Sequence, residues 1–422
     1  MEWERAQHAV YDVCVVGAGS AGIACAQGLA LQGRRVLLLD RADPQPPTLK
    51  AEKLDGEGVQ ALLRLGLDPA VTAALTPLRR VGVYFGRRYL ATLEPRPAEA
   101  GFLYHTLVNQ LRACLDPRID FQRGTRVAAV ETTADGPVVV TGTGDRVACR
   151  LVVLATGEAR GLVEACGAVT TPVAPYTTFV VAASYDGSLH TAGRPVDALT
   201  FHHPIPGGPV AYATFFRVGH DVRANVFCPG PLPESWAADL QAAPTAVLAA
   251  GNPRIAALTE GWTATSPITS RKVHVFQLTP PDRTGLVVLG DAGHVIDPAG
   301  GGGLVFALLE VELFLREYAP AWLTGATVPA PAIATYYADP RRRQAVDRFF
   351  GAGRYIFDLN HDASLRGRRR RWTFILRHRL ARVGAAGSPT GEGRSAWPLP
   401  APYLYEQFAQ ARLARERVLS RG

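Results

Sequence analysis

The sequence predicts an α/β fold made of a mostly parallel sheet flanked by helices, a second unit built on an antiparallel sheet, and a helical C-terminal region. Three observations support this fold class. An apolar run, Tyr11–Val16, leads into a glycine-rich turn and a helical pattern. A later apolar run, Leu286–Leu289, leads into another glycine-rich loop and helical pattern. Between them, residues 171–275 contain alternating and aromatic segments, which are typical of antiparallel strands.

The first element is a strand followed by the motif Gly17-x-Gly19-x-x-Gly22, then a helical pattern and a second strand that ends at Asp40. This order is the dinucleotide-binding fingerprint of a Rossmann-like unit. Gly17 makes the turn, Gly19 lets the backbone approach a pyrophosphate, and Gly22 allows close packing of helix and strand. Asp40 is placed to bind a ribose diol. The motif does not distinguish FAD from NAD.

The next segments complete this unit. Lys50 precedes a helical pattern, and we expect it either to approach a phosphate or the edge of a bound ring, or to lie on the surface. His105 lies in the first turn of another predicted helix. The remaining elements are predicted as a hairpin at Val81–Leu93, a helix at Gly101–Leu115, and strands at Phe121–Val130, Pro137–Thr141 and Arg146–Leu154, with a turn at Asp135-Gly136. The last strand is apolar enough to rejoin the parallel sheet, and it ends at Thr156-Gly157.

The alternating region that follows could form a wall over a pocket. Its polar and aromatic residues are candidate pocket-lining positions, although alternation alone does not show which face of the sheet looks inward. These candidates are His202, His203, Tyr212, Phe215 and Arg217.

The second glycine-rich loop runs from Gly290-Asp291 to Gly303 and opens the helical pattern Leu304–Phe314. Its glycines allow a close approach of backbone to a flat or phosphorylated ligand. The unpaired N–H groups and the positive dipole end of the helix would favour negative charge. Asp291, which ends a buried strand, is placed to accept a sugar hydroxyl.

The C-terminal region is predicted to be helical and basic. Helices are expected at Thr335–Leu359 and Arg366–Val383, followed by a Gly, Pro and Ala-rich linker at 384–402 and a last helix at Tyr403–Leu419. Arginines 368–371 lie beside Trp372, so this stretch could contact an anionic membrane surface or pack onto the protein's own body.

Composition sets outer limits on function. The 422 residues carry a net charge of +8, with 47% hydrophobic and 19% charged residues, which is ordinary for a globular protein of more than one unit. The six cysteines are scattered without a CxxC pair, so we expect reduced core residues in a cytoplasmic protein and no metal site. No apolar run reaches the ~18 residues of a membrane span. No secretion signal is recognised, and a nucleic-acid partner is not expected.

The pairing of the two glycine motifs resembles the p-hydroxybenzoate hydroxylase-like flavoprotein superfamily over roughly residues 10–360. The segments that carry the resemblance are GAGSAG at 17–22, Asp40, KAEKLDGEGVQALLRLGL at 50–67, Gly157, GDAGHVIDPAGGGG at 290–303 and YYADPRRRQAVDRF at 336–349. The resemblance implies FAD, with Asp291 on the ribitol and the loop from Pro298 over the isoalloxazine. Lys50 and His105 stand at or near positions where the family usually has arginines.

The motifs and the resemblance together assign a set of cofactor contacts and a domain division. The expected cofactor-binding residues are Gly17, Gly19, Ser20, Ala21, Gly22, Asp40, Arg41, Lys50, His105, Val127, Thr156, Gly157, Asp291, Pro298, Gly300, Gly301, Gly302, Gly303 and Leu304. The expected units are the FAD-binding domain at 1–170 and 279–320, an antiparallel substrate domain at 171–278, to which 72–100 could contribute, and a helical region at 321–422.

The resemblance implies an FAD-dependent monooxygenase that uses molecular oxygen, through a flavin C4a-hydroperoxide, on a hydrophobic or aromatic small molecule. Asp297 or His294 are the candidate catalytic residues for proton handling. A reductase, dehydrogenase or halogenase of the same fold is the alternative, although the chain lacks the Trp-x-Trp-x-Ile-Pro segment of the tryptophan halogenases.

One departure from the family pattern bears on the electron donor. NADPH or NADH is the expected donor, but Thr156 replaces the family's usual Asp. This replacement weakens the inference of direct NADPH binding and leaves a separate flavin reductase as a possible partner.

Overall fold

A computed structural model describes residues 11–67, 75–133, 136–191 and 193–385. The expected linker at 384–402 is helical in its first two residues, and the rest of it lies outside the described residues, as do the expected helix at Tyr403–Leu419 and Asp135 of a predicted turn. The strands are β1 (Tyr11–Val16), β2 (Val36–Asp40), β3 (Lys53–Leu54), β4 (Thr76–Leu78), β5 (Val81–Phe85), β6 (Arg88–Leu93), β7 (Glu99–Gly101), β8 (Asp120–Arg123), β9 (Val127–Thr133), β10 (Gly136–Thr141), β11 (Arg146–Leu154), β12 (Val169–Asp186), β13 (His190–Thr191), β14 (Arg194–Pro195), β15 (Ala198–His202), β16 (Tyr212–Val218), β17 (Asp221–Pro229), β18 (Thr263–Ala264), β19 (Thr269–Thr279), β20 (Leu286–Val288) and β21 (His294–Val295).

The α-helices connect these strands and form the C-terminal layer. They are α1 (Ser20–Leu31), α2 (Gly56–Arg64), α3 (Tyr104–Ala113), α4 (Gly161–Ala165), α5 (Glu234–Ala242), α6 (Pro244–Gly251), α7 (Pro253–Thr259), α8 (Gly303–Leu313), α9 (Ala319–Trp322), α10 (Ala330–Ala338), α11 (Pro340–His361) and α12 (Leu365–Ala385). Short 3-10 turns cover Gly290–Ala292 and Pro298–Gly300, and a π-helical turn covers Phe314–Tyr318. None of these described helices is long and apolar enough to cross a membrane.

The first sheet has β1 at its centre, paired in parallel with β2 and β11, with β8 on the far side of β2. The long strand β11 changes neighbours along its length. Its first half pairs antiparallel with β10, and its last residues pair in parallel with β20. Because the strands are parallel, the C-terminal ends of β1, β2, β11 and β20 meet at one edge of the sheet. In open α/β sheets, ligands bind at this edge.

The second sheet is mostly antiparallel, in the order β21-β19-β12-β17-β16-β15-β5-β6. The hairpin of β5 and β6 joins it because β5 pairs in parallel with β15. One face packs against the apolar sides of α5, α6 and α7. The other face packs against α11 and α12 and against Leu49. The fold class predicted from the sequence is therefore confirmed.

Two predicted elements are wrong in detail. The predicted strand Phe121–Val130 is two strands, β8 and β9, because the chain turns at Gly124 with a φ of +68°. The predicted helix Thr335–Leu359 is also interrupted, between α10 and α11. Pro340 occupies the first turn of α11, and the Asp339 carboxylate caps that helix by accepting from the Arg341 N–H at 2.7 Å.

Candidate cofactor site and adjoining cavity

The first glycine turn brings backbone groups very close together. Gly17 has a φ of +105°, and a Cβ there would lie 2.4 Å from the Ala155 carbonyl oxygen. A Cβ on Gly22 would lie 1.8 Å from the Gly17 oxygen. Helix α1 begins at Ser20 without a side-chain cap from Gly19, and the Ser20 N–H donates to the Tyr104 hydroxyl at 3.5 Å. Side chains larger than hydrogen are therefore excluded at the two positions that shape this turn.

Asp40 holds the loop beside this turn. Its carboxylate accepts from the Ala18 N–H at 2.5 Å and from the Ala42 N–H at 2.7 Å. The fully buried Arg112 of α3 forms an ion pair with it at 3.1 Å and donates to the Ala18 and Ala42 carbonyls. Arg112 escaped the sequence analysis because it sits inside an ordinary amphipathic helix, and only the fold brings it to Asp40.

The second glycine motif meets the first one directly. Gly290, at a φ of +65°, packs against α1 so closely that a Cβ there would lie 2.9 Å from the Ala21 Cβ. The Gly290 N–H donates to the buried Glu310 carboxylate at 2.7 Å, and Glu310 in turn pairs with the buried Arg342 at 2.7 Å. Two glycine turns that are far apart in sequence thus pack against each other. The buried ion pair of Glu310 with Arg342 holds the second turn through the Gly290 N–H.

The loop after Asp297 leads into the N-terminus of α8. Gly301 adopts the left-handed conformation at a φ of +68°, and α8 begins at Gly303 without a side-chain cap. A Cβ on Gly303 would meet no atom within 4 Å, which means that this position faces open space. The uncapped N–H groups and the positive end of the helix dipole therefore point at a free volume.

One cavity of about 570 Å³ joins these parts. Its lining runs from the fingerprint turn, past the second glycine loop, to the second sheet. The lining includes Gly17, Gly19, Ser20, Ala21, Asp40, Arg41, Lys50, Tyr104, Thr156, Gly157, Asp291, Pro298, Gly300, Gly301, Gly302, Gly303 and Leu304. A space that joins two glycine turns, each at a helix N-terminus, fits a dinucleotide with a central pyrophosphate.

Lys50 borders this cavity beside Asp291. Its ammonium group is 3.4 Å from the Asp291 carboxylate and 5.5 Å from the centre of the Tyr104 ring. Burial lowers the pKa of Lys50, but Tyr104 and Asp291 outweigh this effect, so the pKa is raised and the amine stays charged. A fixed positive charge therefore stands beside the carboxylate that ends β20.

Some expected cofactor contacts lie elsewhere. Tyr104, not His105, borders the cavity, because consecutive residues on a helix point about 100° apart and Tyr104 is the first residue of α3. Val127 packs against the apolar side of the β9–β11 meander and does not line the cavity. Gly22 packs against the Gly17 carbonyl inside the turn, and it does not border the cavity either.

The candidate pocket-lining residues of the second sheet divide in the same way. Tyr212 borders the cavity together with Val180, Phe227 and Val273. Phe215 points to the opposite face, into the core against α5–α7, because it is three positions along the strand from Tyr212. The remaining three candidates also lie off the cavity: His202 packs edge-on against Phe374, His203 contacts Asn360 at 3.0 Å, and Arg217 donates to the Gly187 carbonyl.

The two candidate catalytic residues support the second glycine loop and do not border the cavity. Asp297 accepts from the Thr178 hydroxyl at 3.0 Å and from the Ala299 N–H at 2.9 Å. His294 is buried beside Arg342, and burial together with that cation lowers its pKa to about 3. His294 is therefore neutral at physiological pH, and neither side chain is placed to exchange a proton with a cavity ligand.

Two buried ion pairs, which the sequence analysis missed, adjoin the cavity, and three of their members border it: Glu52, Lys53 and Glu99. Glu52 and Arg223 form a bidentate pair at 2.8 and 3.0 Å. Lys53 and Glu99 pair at 2.7 Å. Glu52 and Lys53 are consecutive residues where β3 begins, whereas their partners lie on β17 and β7, so only the assembled fold forms these pairs. Glu52, Lys53 and Glu99 add fixed charged groups to a lining that also contains apolar residues of the second sheet.

Comparison with known proteins agrees with this geometry. Residues 10–312 match the family model described as FAD binding domain, so the chain belongs to this FAD-binding family. The solved structure of p-nitrophenol 4-monooxygenase from Pseudomonas putida DLL-E4 superposes with a TM-score of 0.68 at 17% identity, covering 89% of this chain and 94% of that one. The fold is thus that of the p-hydroxybenzoate hydroxylase-like flavoproteins, as expected.

Sequence relatives point to the same family. The 3-demethoxyubiquinol 3-hydroxylase of Escherichia coli (strain K12) is 25% identical over 337 residues, which cover 74% of this chain and 82% of that protein. The 3-(3-hydroxy-phenyl)propionate/3-hydroxycinnamic acid hydroxylase of Mycobacterium sp. (strain JLS) is 31% identical over 137 residues, or 30% of this chain. The matched part spans only 24% of that relative's length.

Proposed function

We propose that this protein is an FAD-dependent monooxygenase that inserts one oxygen atom into a hydrophobic or aromatic small molecule. The observation that supports this proposal best is the single cavity, which continues from the two glycine turns to the wall of the second sheet. The hydroxylases among its relatives support the same type of reaction. When bound and reduced, FAD supplies the electrons that activate molecular oxygen.

The protein's own residues would bind and orient the cofactor. Residues 1–170 and 279–320 would hold it, with Asp40 near the adenosine ribose and Asp291 near the ribityl chain. The uncapped N-terminus of α8 and the Lys50 ammonium would stabilise negative charge on the reduced ring. The second sheet, with Val180, Phe227 and Val273 facing the cavity, would exclude water from the reacting atoms.

Isotope labelling tests the reaction type. The FAD-loaded protein would be supplied with reducing equivalents, a panel of hydrophobic and aromatic compounds, and ¹⁸O₂. A monooxygenase gives a product that contains one ¹⁸O atom, with oxygen consumption matched to product. A product that gains or loses two hydrogens without ¹⁸O would indicate a reductase or dehydrogenase, and a product that requires halide would indicate a halogenase.

NADH or NADPH is the proposed source of electrons, delivered either directly or through a separate flavin reductase. Thr156 borders the cavity where the family usually has an Asp. Its hydroxyl donates to the Ala159 carbonyl at 3.0 Å, which closes its own turn. Stopped-flow mixing of the FAD-loaded protein with NADH or NADPH separates the two routes, because direct donation bleaches the flavin absorbance without any added protein.

We also propose peripheral contact of α12 with an anionic membrane surface. Leu365, Trp372 and Leu376 are 80%, 65% and 56% exposed and recur along one side of this helix. Five arginines of this helix have no ion pair in the described chain and flank the apolar residues: Arg366, Arg368, Arg369, Arg377 and Arg379. The helix contains no acidic residue. Exposed aromatic and aliphatic side chains beside arginines are typical of helices that lie on such surfaces.

Vesicle flotation tests this contact. The protein should float with vesicles that contain phosphatidylglycerol, float less with pure phosphatidylcholine, and dissociate at high salt. Trp372→Ser should weaken the interaction, whereas Val169→Ser, at an exposed apolar residue far from α12, should not. Absence of binding to anionic vesicles, or binding that Trp372→Ser leaves unchanged, would contradict the proposal.

A further inference from the structure

Two charged side chains meet the cavity where α2 and α11 approach the second glycine loop. Glu57 lies in the first turn of α2, and Arg348 lies on α11. Both border the cavity, as do Gly302, Gly303 and the Phe349 ring. A Cβ on Gly302 would lie 2.3 Å from that ring, so α11 packs directly on the loop. Glu57 and Arg348 are close enough to influence each other's charge, and both border this part of the cavity.

Neither side chain has a partner among the described residues. The Glu57 Oε1 atom is buried without a hydrogen bond. Among the described residues, Arg348 has no hydrogen-bond partner and no ion-pair partner within 4.0 Å, and its guanidinium lies 5.6 Å from the centre of the Phe349 ring. In contrast, Lys53 and Glu52, which border the same cavity, are paired. Since unpaired buried polar groups are costly, this end of the cavity is built for a polar ligand group.

The surroundings of Glu57 bring its titration close to neutrality. Burial and the nearby Asp55 raise the pKa of Glu57 to about 7, although Arg348 and Arg64 act in the opposite direction. Glu312 of α8 also faces it and raises the pKa slightly. Burial lowers the pKa of Arg348, but an arginine remains charged at physiological pH. The cation is therefore constant, whereas the acid can be neutral or charged.

We propose that Glu57 and Arg348 form a subsite for a carboxylate group of the ligand, which binds while Glu57 is protonated. One carboxylate oxygen accepts from the Arg348 guanidinium, and the other accepts from the Glu57 O–H group. Ionised Glu57 would repel the ligand and attract Arg348, so binding above neutral pH takes up a proton from solvent. The inference deepens the proposed function, because it assigns an anionic group to the substrate that occupies this cavity.

Calorimetric titration with a matched pair of probes tests the subsite. The FAD-loaded protein would be titrated with 3-phenylpropionate and with 3-phenylpropionamide, in buffers of different ionisation enthalpy, at pH 6 and pH 8. The carboxylate should bind about tenfold more tightly at pH 6 than at pH 8, with uptake of about one proton at pH 8 and almost none at pH 6. The amide should show neither effect.

Two variants and a control separate the roles of the residues. Arg348→Gln should weaken carboxylate binding by at least about tenfold, because it removes a charge-assisted hydrogen bond, and should leave amide binding unchanged. Glu57→Gln keeps an N–H donor but cannot ionise, so its affinity should be equal at the two pH values. Arg343→Gln should behave as the wild type, because Arg343 is an exposed arginine of the same helix and has no ion pair within the described part of the chain.

The outcomes distinguish this inference from the proposed function. Carboxylate binding that is independent of pH and unaffected by Arg348→Gln would overturn the subsite. Failure of both probes to bind while ¹⁸O is incorporated into a neutral substrate would also overturn it, yet leave the monooxygenase proposal standing. If instead the probes bind with the expected proton uptake and no oxygenated product forms with any substrate, the subsite stands and the proposed reaction fails.

Discussion

Gly22→Ala is the substitution that most directly probes how the fingerprint turn is built. The new Cβ would lie 1.8 Å from the Gly17 carbonyl oxygen, whereas an ordinary contact begins at 3.4 Å, so atoms have to separate by about 1.6 Å. The obstacle is backbone, which cannot rotate away as a side chain would. Overpacking of this kind costs about 1–3 kcal/mol. Alanine favours a helix over glycine by about 1 kcal/mol, which is less than most of that cost.

This cost should appear in cofactor binding, because the displaced Gly17 forms the wall of the site. We expect the FAD dissociation constant to rise about ten- to a hundredfold, at 1.4 kcal/mol for each factor of ten. Fluorescence titration of the apoprotein measures the constant, and thermal unfolding measures the accompanying loss of stability. Gly161→Ala is the matched control, because no atom lies within 4 Å of its Cβ and it begins a helix. Equal FAD affinity in both variants would refute the packing argument.

Three further outcomes are expected. Asp291→Ala should yield protein without flavin after purification, and a fully flavin-loaded variant would rule out its assigned role. Glu310→Gln should lower the melting temperature markedly, since it leaves the buried Arg342 charge unpaired at a cost of about 3–5 kcal/mol; an unchanged melting temperature would contradict this. For Asp339, hydrogen bonds from Arg341 overcome burial and lower the pKa from 3.8 to about 2, so its stabilisation is present above pH 4 and is lost between about pH 4 and 2. Asp339→Asn should reduce this acid dependence of the urea midpoint. An unaltered acid dependence would rule out the contribution assigned to Asp339.

Individual strands, turns and helices could be predicted because each is encoded by a pattern in consecutive residues of the sequence. A strand followed by spaced glycines and a helix is contained within the residues around Gly17 and Gly22. The same holds for the strand that ends at Gly290-Asp291. The two turns could be predicted to lie together on the assumption that both bind one ligand. The contact between Gly290 and Ala21 agrees with that prediction.

The direction and the partners of side chains could not be predicted in this way. Whether Tyr104 or His105 faces the cavity depends on where α3 begins, within one residue. Phe215 was misplaced because alternation defines two faces of a strand without saying which one is inner. Arg348 and Glu57 are separated by most of the chain, and no local pattern shows that they meet at one cavity.

The measurement that tests the central claim most directly compares the binding of FAD, FMN and ADP to the apoprotein. If the two glycine turns hold the two ends of one molecule, one FAD should bind per chain, and its affinity should exceed that of FMN or ADP by orders of magnitude, because neither fragment reaches both turns. FMN that binds as tightly as FAD, or an apoprotein that binds no flavin, would contradict the account.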